Sequence, residues 1–195
     1  MALSQKSPSQ ARSLQSVATR VTPASSFGGL SLPQSELNVL RAISDRVTAG
    51  LPRMKTAGPG ATPPGTIALF LGQDRAQKSA AVEALAHELR LPLYRVDLGQ
   101  LTSKYINATE MHLAPLSNTA ERGGAILFFD EADALFGKRT EVKDSHDRYA
   151  NDHVNLTPLM AQYRGLIVIA ADSSRHVDPR LLERVRYRVS FGKPH

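Results

Sequence analysis

The sequence AILFFDE, from Ala125 to Glu131, decides the fold of this chain. Its apolar part has the length and aromatic content of a strand buried on both faces of a parallel sheet. Such a strand delivers Asp130 and Glu131 to its carboxyl end, where ligands bind in open α/β folds. We therefore predict that Asp130 holds a hydrated Mg²⁺ and that Glu131 polarises a water, as in the Walker B motif of nucleotide hydrolases. The alternative is a strand that ends by chance in an acidic turn.

A second motif lies upstream and reads GQDRAQKS, from Gly72 to Ser79. Gly72, Lys78 and Ser79 have the spacing of the phosphate-binding loop G-x-x-x-x-G-K-[ST], but Gln77 replaces the second Gly. The motif follows an apolar strand and opens a helix predicted over residues 78–89, whose N-terminus attracts anions. Lys78 is predicted to reach the β- and γ-phosphates of ATP, and Ser79 to ligate Mg²⁺. Because Gly accepts positive φ freely, Gln77 is expected to strain the loop or narrow its cradle.

Composition is consistent with a single domain and excludes several kinds of site. The chain has 195 residues, 42% of them hydrophobic, which is enough for a full core. It contains no Cys, so disulfides, cysteine-ligated zinc and thiol nucleophiles are excluded. His146 and His153 lie near each other, but their spacing fits no usual zinc pattern. No apolar run approaches the roughly 18 residues that span a bilayer, so we predict a cytoplasmic protein without a membrane partner.

The N-terminal region is basic. The formal net charge is +6, and the first carboxylate in the chain is Glu36. Residues 1–30 are rich in Ser, Gln and Ala without periodicity, so we predict a disordered basic arm there. A plain tail, a docking arm for an acidic surface and an organelle transit peptide remain open alternatives. The pI near 9.8 permits nucleic-acid contact, but the chain lacks interleaved aromatics and a recognition helix, which makes nucleic acid an unlikely partner.

The remaining chain alternates apolar strands with amphipathic helices. Apolar positions predict a first helix over residues 35–47, ended by Gly50 and Pro52. Strands are predicted at 66–71, 92–98, 125–129, 166–171 and 187–191. This alternation is typical of an α/β fold with a five-stranded, parallel, doubly wound sheet.

Four further stretches carry a resemblance to a known family. They are SKYI at 103–106 with Thr109-Glu110, DEADALFGKR at 130–139, VKDSHDRYAN at 142–151, and LERVRY at 182–187. With them, the chain from about Ser26 to Phe191 resembles the ATPase domain of the AAA family. It looks most like the bacterial members encoded beside contractile injection systems. The resemblance implies a P-loop NTPase fold, a three-layer α/β/α sandwich.

The resemblance also implies roles for the nucleotide-site residues. Lys78 and Ser79 would bind phosphate and Mg²⁺, Asp130 would be the metal ligand and Glu131 the catalytic acid. ATP and Mg²⁺ are the implied cofactors.

Two other segments resemble the parts of the family that contact partners. Tyr105 and Ile106 would lie in a pore loop that grips a substrate polypeptide, the alternative for Tyr105 being a half-exposed loop aromatic. Arg184 and Arg186 would reach the γ-phosphate of a neighbouring subunit, as arginine fingers do. The alternative for these two arginines is a solvated basic face before an edge strand.

The sequence also departs from the family. Arg75 and Gln77 stand where the family has Gly, and Asp172 stands at a sensor position that is usually Asn. A carboxylate there should oppose ATP unless a cation such as Arg75 or Arg175 neutralises it. The small helical lid that usually follows the fifth strand is not found, so residues 31–194 are expected to be the large ATPase subdomain alone.

The resemblance therefore implies an AAA-type ATPase, an ATP hydrolase that remodels or unfolds a protein partner. The first alternative is a catalytically impaired relative that serves as a regulatory or scaffold subunit. The second is a nucleic-acid-associated P-loop ATPase, suggested by charge alone. Without a lid, we expect at most a weak homo-oligomer, a ring of the hexamer type.

Overall fold

The computed structural model describes residues 18–56, 65–96, 124–130, 163–177 and 179–192. The helices are α1 (Gln34–Thr56), α2 (Arg75–Leu89) and the short α3 (Pro179–Leu182). The strands are β1 (Ala18–Val21), β2 (Thr66–Leu71), β3 (Leu93–Val96), β4 (Ile126–Phe129), β5 (Leu166–Ala171) and β6 (Tyr187–Ser190). Two 3₁₀ turns lie at Phe27–Gly29 and Ser174–His176.

The strands form one sheet of six in the order β1-β3-β4-β5-β2-β6. All neighbouring pairs are parallel except β1 and β3, which are antiparallel. The α/β class is therefore confirmed, but the sheet has one strand more than the predicted five and is not wholly parallel. Because β2, β4 and β5 run in the same direction side by side, the chain leaves all three at one edge of the sheet.

The additional strand lies in the region predicted to be a disordered arm. Ala18 is buried and pairs with Val96, and the Ala24 N–H donates to the Glu83 carboxylate on α2 at 3.1 Å. A four-residue strand is too short to show periodicity, and its partner β3 lies far along the chain, so composition gave no sign of it. Residues 1–17 of the predicted arm lie outside the described residues.

Both faces of the sheet are buried. All six residues of β5 and five of the six residues of β2 are buried, which explains why these strands are apolar runs without alternation. One face packs against α1 and α2 through Leu40, Ile43 and Leu85. On the other face, the strands pack with Tyr163 and with Leu181 of α3.

The first helix extends beyond its predicted end. The predicted apolar face is buried at Leu40, Ile43 and Val47, but α1 continues through Gly50 and Pro52 to Thr56. Leu51 packs against the same core as that face. Burial of an apolar side chain stabilises the extra turn against the cost of a helical Pro.

Tyr163 connects two of the central strands. Its hydroxyl donates to the Ala125 carbonyl at 2.8 Å, just before β4 begins. Burial raises the pKa of the Tyr163 phenol well above its usual value, and nearby Tyr94 adds to this. The hydroxyl therefore stays protonated and serves as a permanent buried donor.

Candidate functional site

The predicted site residues converge where β2, β4 and β5 end. Gly72 follows β2, Asp130 follows β4 and Asp172 follows β5. The last paired residues of β2 and β5, Leu71 and Ala171, lie opposite each other. The topology therefore brings the motifs at 72–79 and 130 together as the sequence predicted, at the edge where α/β folds bind ligands.

Gly72 makes the turn out of β2 in a conformation that only Gly adopts easily. Its φ is +128°, and its N–H donates to the Ala171 carbonyl at 3.2 Å. A Cβ added at this position would lie 1.7 Å from the Phe191 carbonyl oxygen. Gly72 is therefore required by both its backbone angle and the close approach of Phe191.

Helix α2 begins three residues earlier than the predicted Lys78. Asp74 caps it, since its carboxylate accepts from the Gln77 N–H at 2.9 Å and its carbonyl accepts from the Lys78 N–H at 3.1 Å. Among the described residues other than Gly, only Arg90 has a positive φ. Gln77 is thus a regular helical residue, and the expectation that it strains a loop is wrong: a capped helical turn replaces most of that loop.

This cap places a carboxylate where the phosphate-loop motif predicts phosphate. Unsatisfied N–H groups at a helix N-terminus are what bind anions. Here one of them, that of Gln77, donates to Asp74 of the same chain. The N-terminus of α2 therefore carries an internal anion.

Lys78 points at the end of β5. Its side chain is only 4% exposed, and Nζ donates to the Ala171 carbonyl and to Asp172 Oδ1, both at 3.3 Å. The Asp172 side chain is 61% exposed. Asp172 was expected to repel the phosphates of ATP unless a cation such as Arg75 or Arg175 neutralised it. In the structure Lys78 forms an ion pair with Asp172, a partner that the sequence had not suggested.

Asp130 pairs with Arg75. The carboxylate side chain is 6% exposed, and its Oδ2 accepts from Arg75 Nε at 3.1 Å and lies 3.0 Å from Nη2. The Arg75 side chain is 57% exposed. Since a carboxylate this buried needs a charged or hydrogen-bonding partner, Arg75 provides the compensation that Mg²⁺ was predicted to provide.

Ser79, the other predicted metal ligand, also contacts an arginine. Arg95 Nη2 donates to Ser79 Oγ at 3.2 Å, and the guanidinium carbon lies 5.5 Å from the Phe128 ring centroid. Arg95 Nε is buried without a hydrogen-bond partner. Sequence reasoning missed Arg95, although a single charged residue in the otherwise apolar strand Leu93–Val96 was a signal.

The residues predicted for Mg²⁺ do not fit the ion in this arrangement. Both Asp130 and Ser79 are engaged by guanidinium groups, and a second cation beside Arg75 would be repelled. Within the described ranges, no cluster of three or more His, Cys, Asp or Glu side chains is suited to a metal ion. A divalent ion at Asp130 would have to displace Arg75 or bind beside it against charge repulsion.

Arg184 and Arg186 lie away from this edge. Both are exposed, and the Arg186 N–H donates to the Ile67 carbonyl at the start of β2. Gly72 lies five residues further along that strand, a separation of about 16 Å along the sheet. The backbone of Arg186 therefore lies away from Lys78 and Asp130 of the same chain.

The other predicted site residues cannot be placed. Glu131, Tyr105 and Ile106 lie outside the described residues.

No helix in the described part of the chain has the length and apolarity needed to cross a bilayer.

The amino-acid sequence matches one family of known proteins. Residues 68–193 match the family described as "ATPase family associated with various cellular activities (AAA)". The chain is 30% identical over 128 residues to an uncharacterized AAA family ATPase, y4kL, of Sinorhizobium fredii, an alignment that covers 65% of this chain and 38% of the relative. It is also 30% identical over 136 residues to the proteasome-activating nucleotidase of Thermococcus onnurineus, covering 66% of this chain and 33% of the relative.

A solved structure has the same fold. The FIGL-1 AAA domain in complex with ADP aligns with all of this chain and 65% of its own, with a TM-score of 0.65 and 18% identity. At that identity, the likeness shows the fold alone, and it confirms the predicted fold class. The chain spans only 38%, 33% and 65% of the length of these three proteins, respectively.

Proposed function

We propose that this chain, which belongs to the AAA family of ATPases, binds ATP between the start of α2 and the carboxyl ends of β4 and β5. Hydrolysis of that ATP would drive the remodelling or unfolding of a protein partner. A protein-directed role is supported by the name of one relative, a proteasome-activating nucleotidase. Nucleotide binding is supported by the ADP complex of a protein with the same fold.

The observation that carries the proposal is the position of Lys78. Its ammonium is buried at the N-terminal end of α2 and is directed to the end of β5, beside Asp172. Burial of a lysine is costly unless the ammonium has partners, and here two oxygens hold it in place. A preformed cation at a helix N-terminus is suited to the β- and γ-phosphates of a nucleotide.

Arg184 and Arg186 support an assembly of several copies. The backbone of Arg186 lies about 16 Å from the site of its own chain, measured along β2, which is consistent with a role in a neighbouring subunit. We propose that they act as arginine fingers in a weak, nucleotide-dependent ring of the hexamer type. Tyr105 and Ile106 would then face its pore and contact the protein partner.

A second candidate function is a catalytically impaired AAA subunit with a regulatory or scaffold role. It is favoured by the pairing of Arg75 with Asp130 and by the Asp74 cap on α2. Both contacts fill positions that a hydrolytic site gives to the metal and to phosphate. A nucleic-acid role has only the net charge of +6 in its favour. The likeness to members encoded with contractile injection systems, the Mg²⁺ cofactor and a cytoplasmic location stay predictions from the sequence.

Steady-state phosphate release, measured across protein concentration, tests the proposal. The wild type should hydrolyse ATP more slowly than about 1 s⁻¹, below the usual range for enzymes. The rate per chain should rise with concentration and fall in Arg184→Ala, because the arginine finger comes from a second copy. The control is Arg46→Ala, which removes an exposed arginine from α1.

The same assay separates the two candidates. ATP binding without any phosphate release would favour the impaired subunit. An ordinary rate that depends neither on protein concentration nor on Arg184 would contradict both the impairment and the trans-acting arginines. Lys78→Met should abolish hydrolysis, since it removes the ammonium while the Met side chain fills the buried space of the stem.

A further inference from the structure

Arg75 holds a buried carboxylate from the first turn of α2. Two nitrogens of its guanidinium, Nε and Nη2, lie 3.1 and 3.0 Å from Oδ2 of Asp130. The Asp130 side chain is 6% exposed, whereas 57% of the Arg75 side chain faces solvent. The buried charge is therefore neutralised by a cation that reaches in from the surface.

The guanidinium of Arg75 has an N–H donor group beyond the two nitrogens that contact Asp130. Guanidinium groups have five N–H donors in a planar fork that matches phosphate oxygens. More than half of the Arg75 side chain is exposed, and Arg75 lies three residues before Lys78 in α2, on the same side of the helix. Arg75 and Lys78 together offer two fixed positive charges to a polyphosphate.

A divalent ion would compete with this arrangement. Mg²⁺ needs oxygen ligands and binds through one or two carboxylates together with phosphate oxygens. Asp130 already holds Arg75, and the Ser79 hydroxyl accepts from Arg95. Metal-bound ATP would have to displace Arg75 or sit beside it, at a cost in charge repulsion.

We infer that Arg75 is the resident cation of this site and that the site prefers nucleoside polyphosphates without a divalent metal. The inference rests on the proposed nucleotide site. The Asp130-Glu131 motif predicts that nucleotide binding depends on Mg²⁺. In this chain, Arg75 reverses that dependence and sets the preference for metal-free nucleotide. Removing Arg75 should restore dependence on Mg²⁺, because Asp130 Oδ2 then loses the guanidinium that holds it.

Calorimetric titration of ATP, in EDTA and in excess Mg²⁺ at matched ionic strength, tests the inference. The wild type should bind ATP at least about threefold more tightly in EDTA, while Arg75→Ala should bind it at least about threefold more tightly in Mg²⁺. Arg46→Ala, which removes an exposed arginine from α1, should behave as the wild type. A wild type that binds Mg²⁺-ATP more tightly, or an Arg75→Ala variant with unchanged preference, would overturn the inference and leave the nucleotide site standing.

A measurement without nucleotide separates the inference from the proposed function. Mg²⁺ alone should raise the melting temperature of Arg75→Ala by a few degrees, and should leave the wild type unchanged. If ATP binds to neither protein under either condition, the proposed site and the inference built on it both fail. A wild type that Mg²⁺ alone stabilises as strongly as the variant would overturn the inference by itself.

A double variant controls for the possibility that Arg75→Ala misfolds. Arg75→Ala leaves Asp130 buried without its arginine, so Arg75→Ala combined with Asp130→Asn removes both charges together. The double variant should bind ATP more weakly than the wild type in EDTA and gain nothing from Mg²⁺. A double variant that binds ATP in EDTA as tightly as the wild type would overturn the role of Arg75.

Discussion

Asp74 has two opposing effects that substitution can separate. Its carboxylate caps α2 through the Gln77 N–H at 2.9 Å, and it also places a negative charge at the helix N-terminus where phosphate should bind. Asp74→Ala removes both the cap and the charge, whereas Asp74→Asn keeps a capping oxygen and removes only the charge. We therefore predict that stability and nucleotide affinity change in different directions.

The magnitudes follow from the cap and from the charge. Loss of an N-cap costs about 1 kcal/mol, which lowers the melting temperature of a domain of this size by roughly 2–4 °C. Removal of a unit charge about 4 Å from a phosphate in water is worth about 1 kcal/mol, or about fivefold in affinity. Asp74→Ala also releases the Gln77 N–H to the ligand, and a hydrogen bond to a charged group adds about 1.5–3 kcal/mol.

The assay combines thermal unfolding without nucleotide and titration with ATP in EDTA. Asp74→Asn should have the same melting temperature as the wild type. It should bind ATP about fivefold more tightly, because the negative charge near the phosphate is removed. Asp74→Ala should melt lower and bind more tightly still. The control, Asp45→Asn, removes an exposed carboxylate from α1 and should change neither quantity. If Asp74→Ala binds ATP no better than the wild type, the carboxylate does not occupy the phosphate position and the reasoning is refuted.

Three further variants test the site and its support. Gly72→Ala should lower the free energy of unfolding, measured by urea titration, by about 4 kcal/mol or more, because its Cβ would lie 1.7 Å from a backbone carbonyl oxygen. The control, Gly28→Ala, has open space around it and should change the free energy of unfolding little. Tyr163→Phe should cost about 1–2 kcal/mol in the same assay, since the Ala125 carbonyl loses its donor; no loss would contradict that contact. Asp172→Asn should leave stability within about 1 kcal/mol because Asp172 is exposed, and should tighten ATP binding by releasing Lys78; weaker binding would mean that Asp172 positions the lysine.

The sheet could be predicted where strands are buried on both faces. The apolar runs at 66–71 and 166–171 have the bounds of the predicted strands, because a doubly buried strand tolerates few polar residues. Strand β1 could not be predicted, since four residues on a sheet edge give little periodic signal. The extension of α1 past Pro52 depends on packing of Leu51, which local propensity does not contain.

The position of the site could be predicted, but its internal pairing could not. Parallel topology alone brings Gly72, Asp130 and Asp172 to one edge. Which cation meets which carboxylate depends on distances of a few ångströms, and the pairs Arg75–Asp130 and Lys78–Asp172 follow from where α2 begins.

The start of α2 had a sequence signal that the motif at 72–79 obscured. An Asp just before a helical pattern is a strong N-cap, and Asp74 has this position. The spacing of the phosphate-loop motif favours a later start at Lys78 and makes Gln77 the most evident departure from the motif. In the structure, Asp74 accepts from the Gln77 N–H and Arg75 pairs with Asp130, so these two residues engage the groups that were predicted to bind phosphate and metal.

The central claim is that Lys78 binds the phosphates of ATP at the edge formed by β2, β4 and β5. Calorimetric titration of ATP into the wild type and Lys78→Met, in EDTA and again in Mg²⁺, tests it most directly. We predict measurable binding to the wild type and a loss of at least about tenfold in affinity in Lys78→Met, equivalent to about 1.4 kcal/mol. Equal affinity in the two proteins, or no binding to the wild type under either condition, would contradict the claim.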